Sequence, residues 1–331
     1  MNKWMKDTTG QMLVENVIVI GLMILVIIAS IPSLRSMVFN KQFYRSSGEG
    51  SLSTGWIPAQ LLLSDQPVIF CRGTIQLADK ATIKGDIVTS QPIQPTGDSN
   101  HIGKVTTNQE QSFRFPLPLF PKFPYGSLPA KGSLSILENS EQSHLSENGY
   151  YEQVRLDSTL VIHTGDKDTK REIIMDELMV GSNGSLILDG AGALFLYIRN
   201  QFTIVGQATI NPGGDAEQLV LYYQGKDPLT IPEGNQQITG SLYLENADII
   251  ISSENCSLQG NIISGGANIR IEKGSTNLTR TLLYAPWSHL WMSEDASLQG
   301  KVIANQITCK DRSQIKYQAV TLSPHFSYSL E

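Results

Sequence analysis

The chain has 331 residues and a formal net charge of −6, from 25 Lys and Arg against 31 Asp and Glu. This length allows one or two domains, and an acidic balance without a basic stripe or Lys/Arg run excludes a nucleic-acid footprint. Cys71, Cys256 and Cys309 are odd in number, far apart and without CxxC or metal spacing. They exclude a disulfide-stapled extracellular domain and read as small buried hydrophobes.

The first predicted element is an apolar helix. No charge appears from Asn16 to Leu34, and Val, Ile, Leu and Met dominate. At ~1.5 Å rise per residue, the roughly 20 residues from Met12 to Ile31 reach about 30 Å, the thickness of a hydrocarbon core. Glu15 sits just inside this run. An acidic residue at mid-bilayer costs ~2.5–3.5 kcal/mol, less near the end of a segment, so the carboxylate asks for a partner. A plain anchor with Glu15 at headgroup level is one answer. The flanks suggest another: MNKWMKDTTG precedes the run, with Lys3 and Lys6 against Asp7, and ends in Gly10. Glu15 follows that glycine by five positions and Pro32 by 22.

This arrangement resembles the class III leader of type IV pilins and pseudopilins. The resemblance implies cleavage after Gly10 by a prepilin peptidase, on the cytoplasmic side. It also implies that Glu15 of one subunit neutralises the new amine at Gln11 of its neighbour, so that the charge is matched only in the assembled state. Pro32 matches the family's helix-loosening proline. Gln11 departs from the family, which usually has Phe or Met there. Loss of the leader removes two Lys and one Asp and takes the net charge from −6 to −7. The implied setting is a single-pass cell-membrane protein with its β-domain outside the cytoplasm, in contact with other pilin-like subunits. A secretory signal peptide is the competing account, with Ala29-Ser30-Ile31 as a poor cleavage site. The apolar run exceeds the usual ~7–15 residues, and the glutamate lies at the wrong end.

From Ser33 to about Leu52 the pattern is amphipathic. Leu34, Val38, Phe39 and Phe43 recur at helical spacing, with Arg35, Lys41 and Arg45 between them. Ser46–Gly50 is poor helix material, so the helix is expected to end there.

Beyond Trp56 short strands dominate. Val68–Gly85 alternates apolar and polar residues, with Gly or Asp at turns. A non-periodic stretch follows from about Gln91 to Gly132, centred on FRFPLPLFPKFPYGSLPAKG. Pro116, Pro118, Pro121, Pro124 and Pro129 forbid helix interior and central strand. The segment reads as a Pro-rich ligand for a partner or as an extended strap packed on the domain. The cost of exposing Phe113, Phe115, Phe120 and Phe123 favours the strap.

From Gly181 onward a repeat emerges. SLQG occurs at Ser257–Gly260 and Ser297–Gly300, 40 residues apart, and the chain around them divides into units of about 20 residues. Each unit reads as two strands separated by Gly, Asn, Asp or Ser. Such a period predicts a single-stranded parallel β-helix, a β-solenoid whose coils stack at roughly 4.8 Å and share one core. Ile249, Ile251, Ile262, Ile269, Ile271, Leu283, Val302 and Ile307 are predicted to face inward. Asp166–Lys170 and Pro212–Asp215 should protrude as loops. Tyr284-Ala285-Pro286, followed by HLWMSEDASLQGKVIANQITC, is similar to the β-helical domains that follow PilX-type pilus-assembly leaders. The expected organisation is a leader at 1–10, a membrane and assembly helix at 11–50, and a mainly β solenoid at 51–331. The Pro-rich strap interrupts the solenoid at about 91–132.

A carbohydrate-active solenoid would need paired carboxylates, or Ca²⁺ with a basic residue. Asp166, Asp168, Asp189, Glu294 and Asp295 are the candidates, and Asp166 and Asp168 read as loop carboxylates beside Lys167. His163 and His289 have no Ser, Cys or acidic partner at recognisable spacing. No phosphate-binding or dinucleotide fingerprint is present. The expectation is therefore a non-enzymatic, minor-pilin-like subunit without cofactor or metal. The alternatives are a membrane-anchored surface β-helix that binds or degrades polysaccharide, and an anchored adhesin that never enters a filament.

Overall fold

The computed structural model describes residues 69–107, 117–118, 120–138, 140–273, 277–320 and 328–329. Two compact units divide the chain, Met1–Gly55 and Trp56–Glu331, and every described residue belongs to the second. Gly10, Gln11, Glu15 and Pro32, with the predicted leader and membrane helix, lie outside the described residues. Among the described residues no helix is long and apolar enough to cross a membrane.

Short strands pair in parallel along one stack, and those within it pair with a strand one coil above and one coil below. The result is a β-solenoid of about eleven turns. A full coil carries three strands rather than the two expected for each unit. Ser241–Leu244, Ile249–Ile251 and Ser257–Gln259 make one coil. Each of the three lies in register under its counterpart in the next coil, at Ile262–Ser264, Asn268–Ile271 and Asn277–Thr279. The third strand was hidden because Ser and Asn at its start resemble turn residues.

Each inward position forms an apolar ladder along the stack. On the first face Ile69, Val302, Leu283, Ile262, Leu242, Leu221, Leu196 and Ile173 succeed one another in register. The second face carries Ile75, Ile307, Leu290, Ile269, Ile249 and Leu229. The third carries Ile83, Ile315, Leu298, Leu278, Leu258, Ile238, Ile210, Leu186 and Leu160. These ladders meet in one core that contains all eight predicted inward residues. Burying such a side chain contributes about 1.5–3 kcal/mol, and no coil can bury its own inward face alone.

Two corner devices hold the coils at this spacing. Asp79-Lys80, Glu294-Asp295 and Asp311-Arg312 take positive φ in consecutive residues, the conformation of a two-residue turn. Their amides join neighbouring turns: Asp295 N donates to Asp311 O (2.8 Å) and Arg312 N to Asp79 O (2.9 Å). At another corner Gly260, at φ +131°, leaves no room for a Cβ, which would overlap the Gly240 carbonyl oxygen.

Coil order departs from chain order. The stack begins at Ala130–Ile136 and runs through successive coils to Gln314–Tyr317. It then continues with the N-terminal part of the domain. Ile69–Cys71 pairs with Val302–Ala304, Ile75–Leu77 with Ile307–Cys309, and Thr82–Lys84 with Gln314–Lys316. Ile87–Thr89 and Val105–Thr107 extend the same face further. The solenoid therefore reaches Thr107, and the predicted non-periodic stretch at 91–132 is too long at both ends. Strands Ile93–Pro95, Asn100–Ile102 and Val105–Thr107 were masked by interspersed Pro, Gly and Asp.

The Pro-rich segment returns along the outside of the stack. Phe120 lies beside Gly265, while the Pro129 carbonyl accepts from Tyr150 N at 2.9 Å, five coils away. Five spacings of ~4.8 Å make about 24 Å. Nine residues cover that distance when extended, at about 30 Å, but reach only about 14 Å as a helix. Proline supplies an extended backbone without a donor to satisfy.

Candidate functional site

Beneath the strap lies an outward-facing ladder. Tyr150, Ile174, Tyr197, Tyr222, Tyr243, Ile263, Tyr284, Ile303, Phe70 and Val88 succeed one another in register. Most of them form a second apolar cluster on the outer side of the first face, joined by Phe120, Phe123 and Leu128 of the strap. Phe123 meets Tyr197 edge-on, with centroids 5.1 Å apart, and Tyr197 stacks on Tyr222 at 5.2 Å. Tyr125 donates to Gln224 Oε1 at 2.7 Å and lies under the Arg199 guanidinium, 5.0 Å away. Phe113 and Phe115 fall outside the described residues. The packing of Phe120 and Phe123 matches the strap reading of the sequence. Burial pushes the Tyr222 phenol up to about 12.

The carboxylates singled out in the sequence do not assemble into one centre. Asp166 and Asp168 are exposed in a turn closed by Thr169 N donating to Asp166 O at 2.8 Å. Asp295 is held in a two-pronged ion pair by Arg312 (Nε 2.7 Å, Nη2 2.5 Å), and that donation keeps its carboxyl below the usual range. His289 Nε2 lies 2.9 Å from Thr308 Oγ1. Burial, and secondarily Arg270, lowers its proton affinity. Cys71, Cys256 and Cys309 are free and buried, and desolvation pushes each thiol to about 12, so none offers a thiolate at neutral pH.

One polar constellation does form, and the sequence reading missed it. His163 has an acidic partner after all: its Nδ1 lies 2.7 Å from Asp189 Oδ2. The two residues are Cα partners in adjacent coils. On the other side, His163 Nε2 lies 3.1 Å from Nδ1 of His144, whose strand Ser143–Leu145 pairs with Leu160–Ile162. The imidazoles are nearly parallel, with 10° between planes and centroids 5.1 Å apart. Asp189 Oδ2 accepts Nδ1–H of His163, which leaves His163 Nε2 as the nitrogen that faces His144. The surrounding backbone is pinned. Arg171 Nε donates to His163 O (3.2 Å) and its Nη1 to Asn148 Oδ1 (3.2 Å), while Thr164 Oγ1 donates to Asp189 O (3.3 Å). His163 and Asp189 keep 40% and 63% of their side chains exposed, so the row is open to solutes. Among the described residues no group of three or more His, Cys, Asp or Glu is placed to hold a metal ion.

Comparison with known proteins adds one finding. Residues 130–279 match a family described as Domain of unknown function (DUF7305). The match begins at the first strand of the stack and stops at Thr279, the last paired residue before the chain bends into the next coil. It therefore covers the coils that carry His144, His163 and Asp189, and excludes the coils built from residues 69–107. No curated protein and no solved structure matches the chain.

Proposed function

We propose that this chain is a minor-pilin-like structural and assembly subunit of a type IV pilus or related secretion pseudopilus. On this reading an N-terminal helix with Glu15 anchors it in the membrane and joins other pilin-like subunits. The solenoid is presented outside. One structural observation favours a load-bearing role. The first described strand, Ile69–Cys71, is hydrogen-bonded on both sides, to Val302–Ala304 and to Ile87–Thr89. A strand paired on both sides leaves the stack only when both sets of hydrogen bonds break. Gly10, Glu15 and Pro32 supply the sequence part of the case. The test is N-terminal sequencing of membrane-extracted protein from cells that possess a prepilin peptidase. Mature protein should begin at Gln11, and Gly10→Val should retain the leader. Wild-type protein that keeps Met1 rejects the assignment.

A second reading, a membrane-anchored surface β-helix that binds or degrades polysaccharide, draws on the Asp189–His163–His144 row. Purified protein would be incubated with plant and bacterial polysaccharides and assayed for reducing ends or unsaturated products. Turnover lost in His163→Ala would favour this reading over the structural one.

A further inference from the structure

We propose that His144 and His163 together bind a borderline divalent transition-metal ion of the Zn²⁺ and Cu²⁺ class, with Asp189 as the carboxylate that orients His163. Neutral imidazole is the ligand type that suits Zn²⁺, Cu²⁺ and Ni²⁺. Two nitrogens bound at about 2.0–2.1 Å in tetrahedral geometry lie about 3.3 Å apart. His144 Nδ1 and His163 Nε2 are already 3.1 Å apart, on nearly parallel rings. An ion therefore needs the N···N separation to open by only about 0.2 Å, with each ring turned so that its lone pair leaves the N···N line and meets the ion. The coil spacing fixes the separation of the two strands, because Ser143–Leu145 and Thr159–Gly165 pair in register.

The third member of the row is the reason to read this pair as a metal site rather than a chance contact. A metal-binding histidine generally donates its other ring N–H to a carboxylate, which fixes the tautomer and raises ligand basicity. Asp189 Oδ2 stands at 2.7 Å from His163 Nδ1, in that position. In the metal-free pair one proton lies between His144 Nδ1 and His163 Nε2. On binding, His144 changes tautomer to Nε2–H, and its Nδ1 lone pair turns to the ion. Water completes the coordination, since two protein ligands leave positions open. The Arg171 guanidinium is committed to the His163 carbonyl and Asn148. The proposal does not rest on the filament reading and survives either result of N-terminal sequencing.

The experiment titrates full-length protein in detergent, stripped with chelator, with ZnCl₂ by calorimetry. A parallel titration with CuSO₄ is read by its visible absorption. One equivalent should bind, and Cu²⁺ should bind more tightly than Zn²⁺. His144→Gln and His163→Gln should each weaken binding at least tenfold, and Asp189→Asn about 10–100-fold. His101→Gln and His289→Gln, elsewhere in the stack, should leave it unchanged. The melting temperature of each variant, measured without metal, separates lost ligation from lost folding. Absence of binding to wild type, or undiminished binding in His144→Gln, overturns the proposal. Undiminished binding in a folded Asp189→Asn overturns the orienting role assigned to the carboxylate.

Discussion

Phe70 lies in register on Ile303, a residue 233 positions later in the chain. The pair marks the seam where the N-terminal segment of the domain caps coils made from its C-terminal segment. Chain order and spatial order disagree here, and several properties of the molecule follow from that disagreement.

The core should fail at single ladder positions. Ile251 is fully buried between Ile231 and Ile271. Ile251→Asp places an unpaired carboxylate there and should cost about 4 kcal/mol or more. Because each coil depends on its neighbours, the loss propagates along the stack. Chemical denaturation followed by circular dichroism measures it. A midpoint close to wild type would contradict the ladder assignment.

The strap should be separable from the core. Phe123, 7% exposed, joins the strap to Tyr197 and the outer cluster. Phe123→Ala should cost about 2–4 kcal/mol. Its first sign should be faster proteolysis within residues 120–129, with far-ultraviolet dichroism unchanged. Loss of β signal in step with cleavage would mean that the strap and the coils unfold as one.

Alkaline pH should destabilise the domain. The Cys71, Cys256 and Cys309 thiols rise from 9.0 to about 12 in the folded chain, and the Tyr222 phenol from 10.0 to about 12, each through desolvation. Across that window the unfolded chain releases protons that the folded chain retains, so stability falls as pH rises. Below the unfolded values these groups contribute no pH dependence. His289 acts on the other side: its lowered proton affinity means that stability falls as pH drops below the ordinary histidine range. Denaturant midpoints measured from pH 5 to 11 test both slopes. Native thiols should also resist alkylation at pH 8 and react only after unfolding.

How much of this was legible depends on whether a repeat keeps its period. Ser257–Gln259 pairs with Asn277–Thr279, which pairs with Ser297–Gln299, so the 40-residue echo of SLQG is two coils of 20 residues. The inward isoleucines were readable for the same reason. His163 and Asp189 are 26 positions apart because the Asp166–Thr169 turn lengthens that coil, and no fixed period relates them. Burial patterns also say nothing about coil order. A strand near Ile69 is readable within Val68–Gly85, but its contact with Val302 is not. The strap was legible from its prolines and phenylalanines, whereas its extent was not, because Pro95 and Gly97 sit within or beside real strands.

Assembly chemistry should be independent of this fold. Glu15 belongs to the apolar N-terminal run rather than the solenoid. On the filament reading, Glu15→Leu should leave the melting of the β-domain unchanged and reduce co-purification with other pilin-like subunits. An unchanged partner profile would favour a plain anchor.

The seam itself can be tested by cutting the chain. Residues 69–107 are held on the stack by ladders to 302–309 and 314–316, in addition to the covalent link through the strap. On the far side of the link, Leu117-Pro118 pairs antiparallel with Tyr328-Ser329. Introducing a specific protease site between Gln109 and Gln111 allows the link to be severed after folding. If the register ladders carry the association, the two fragments should co-elute under native conditions and separate only in denaturant. Buried Ile69, Ile75 and Ile83 give the N-terminal fragment three core anchors, each worth about 1.5–3 kcal/mol, against a modest gain in chain entropy on cutting. Dissociation without denaturant would show that the strap, and not the seam, keeps the N-terminal coils on the stack.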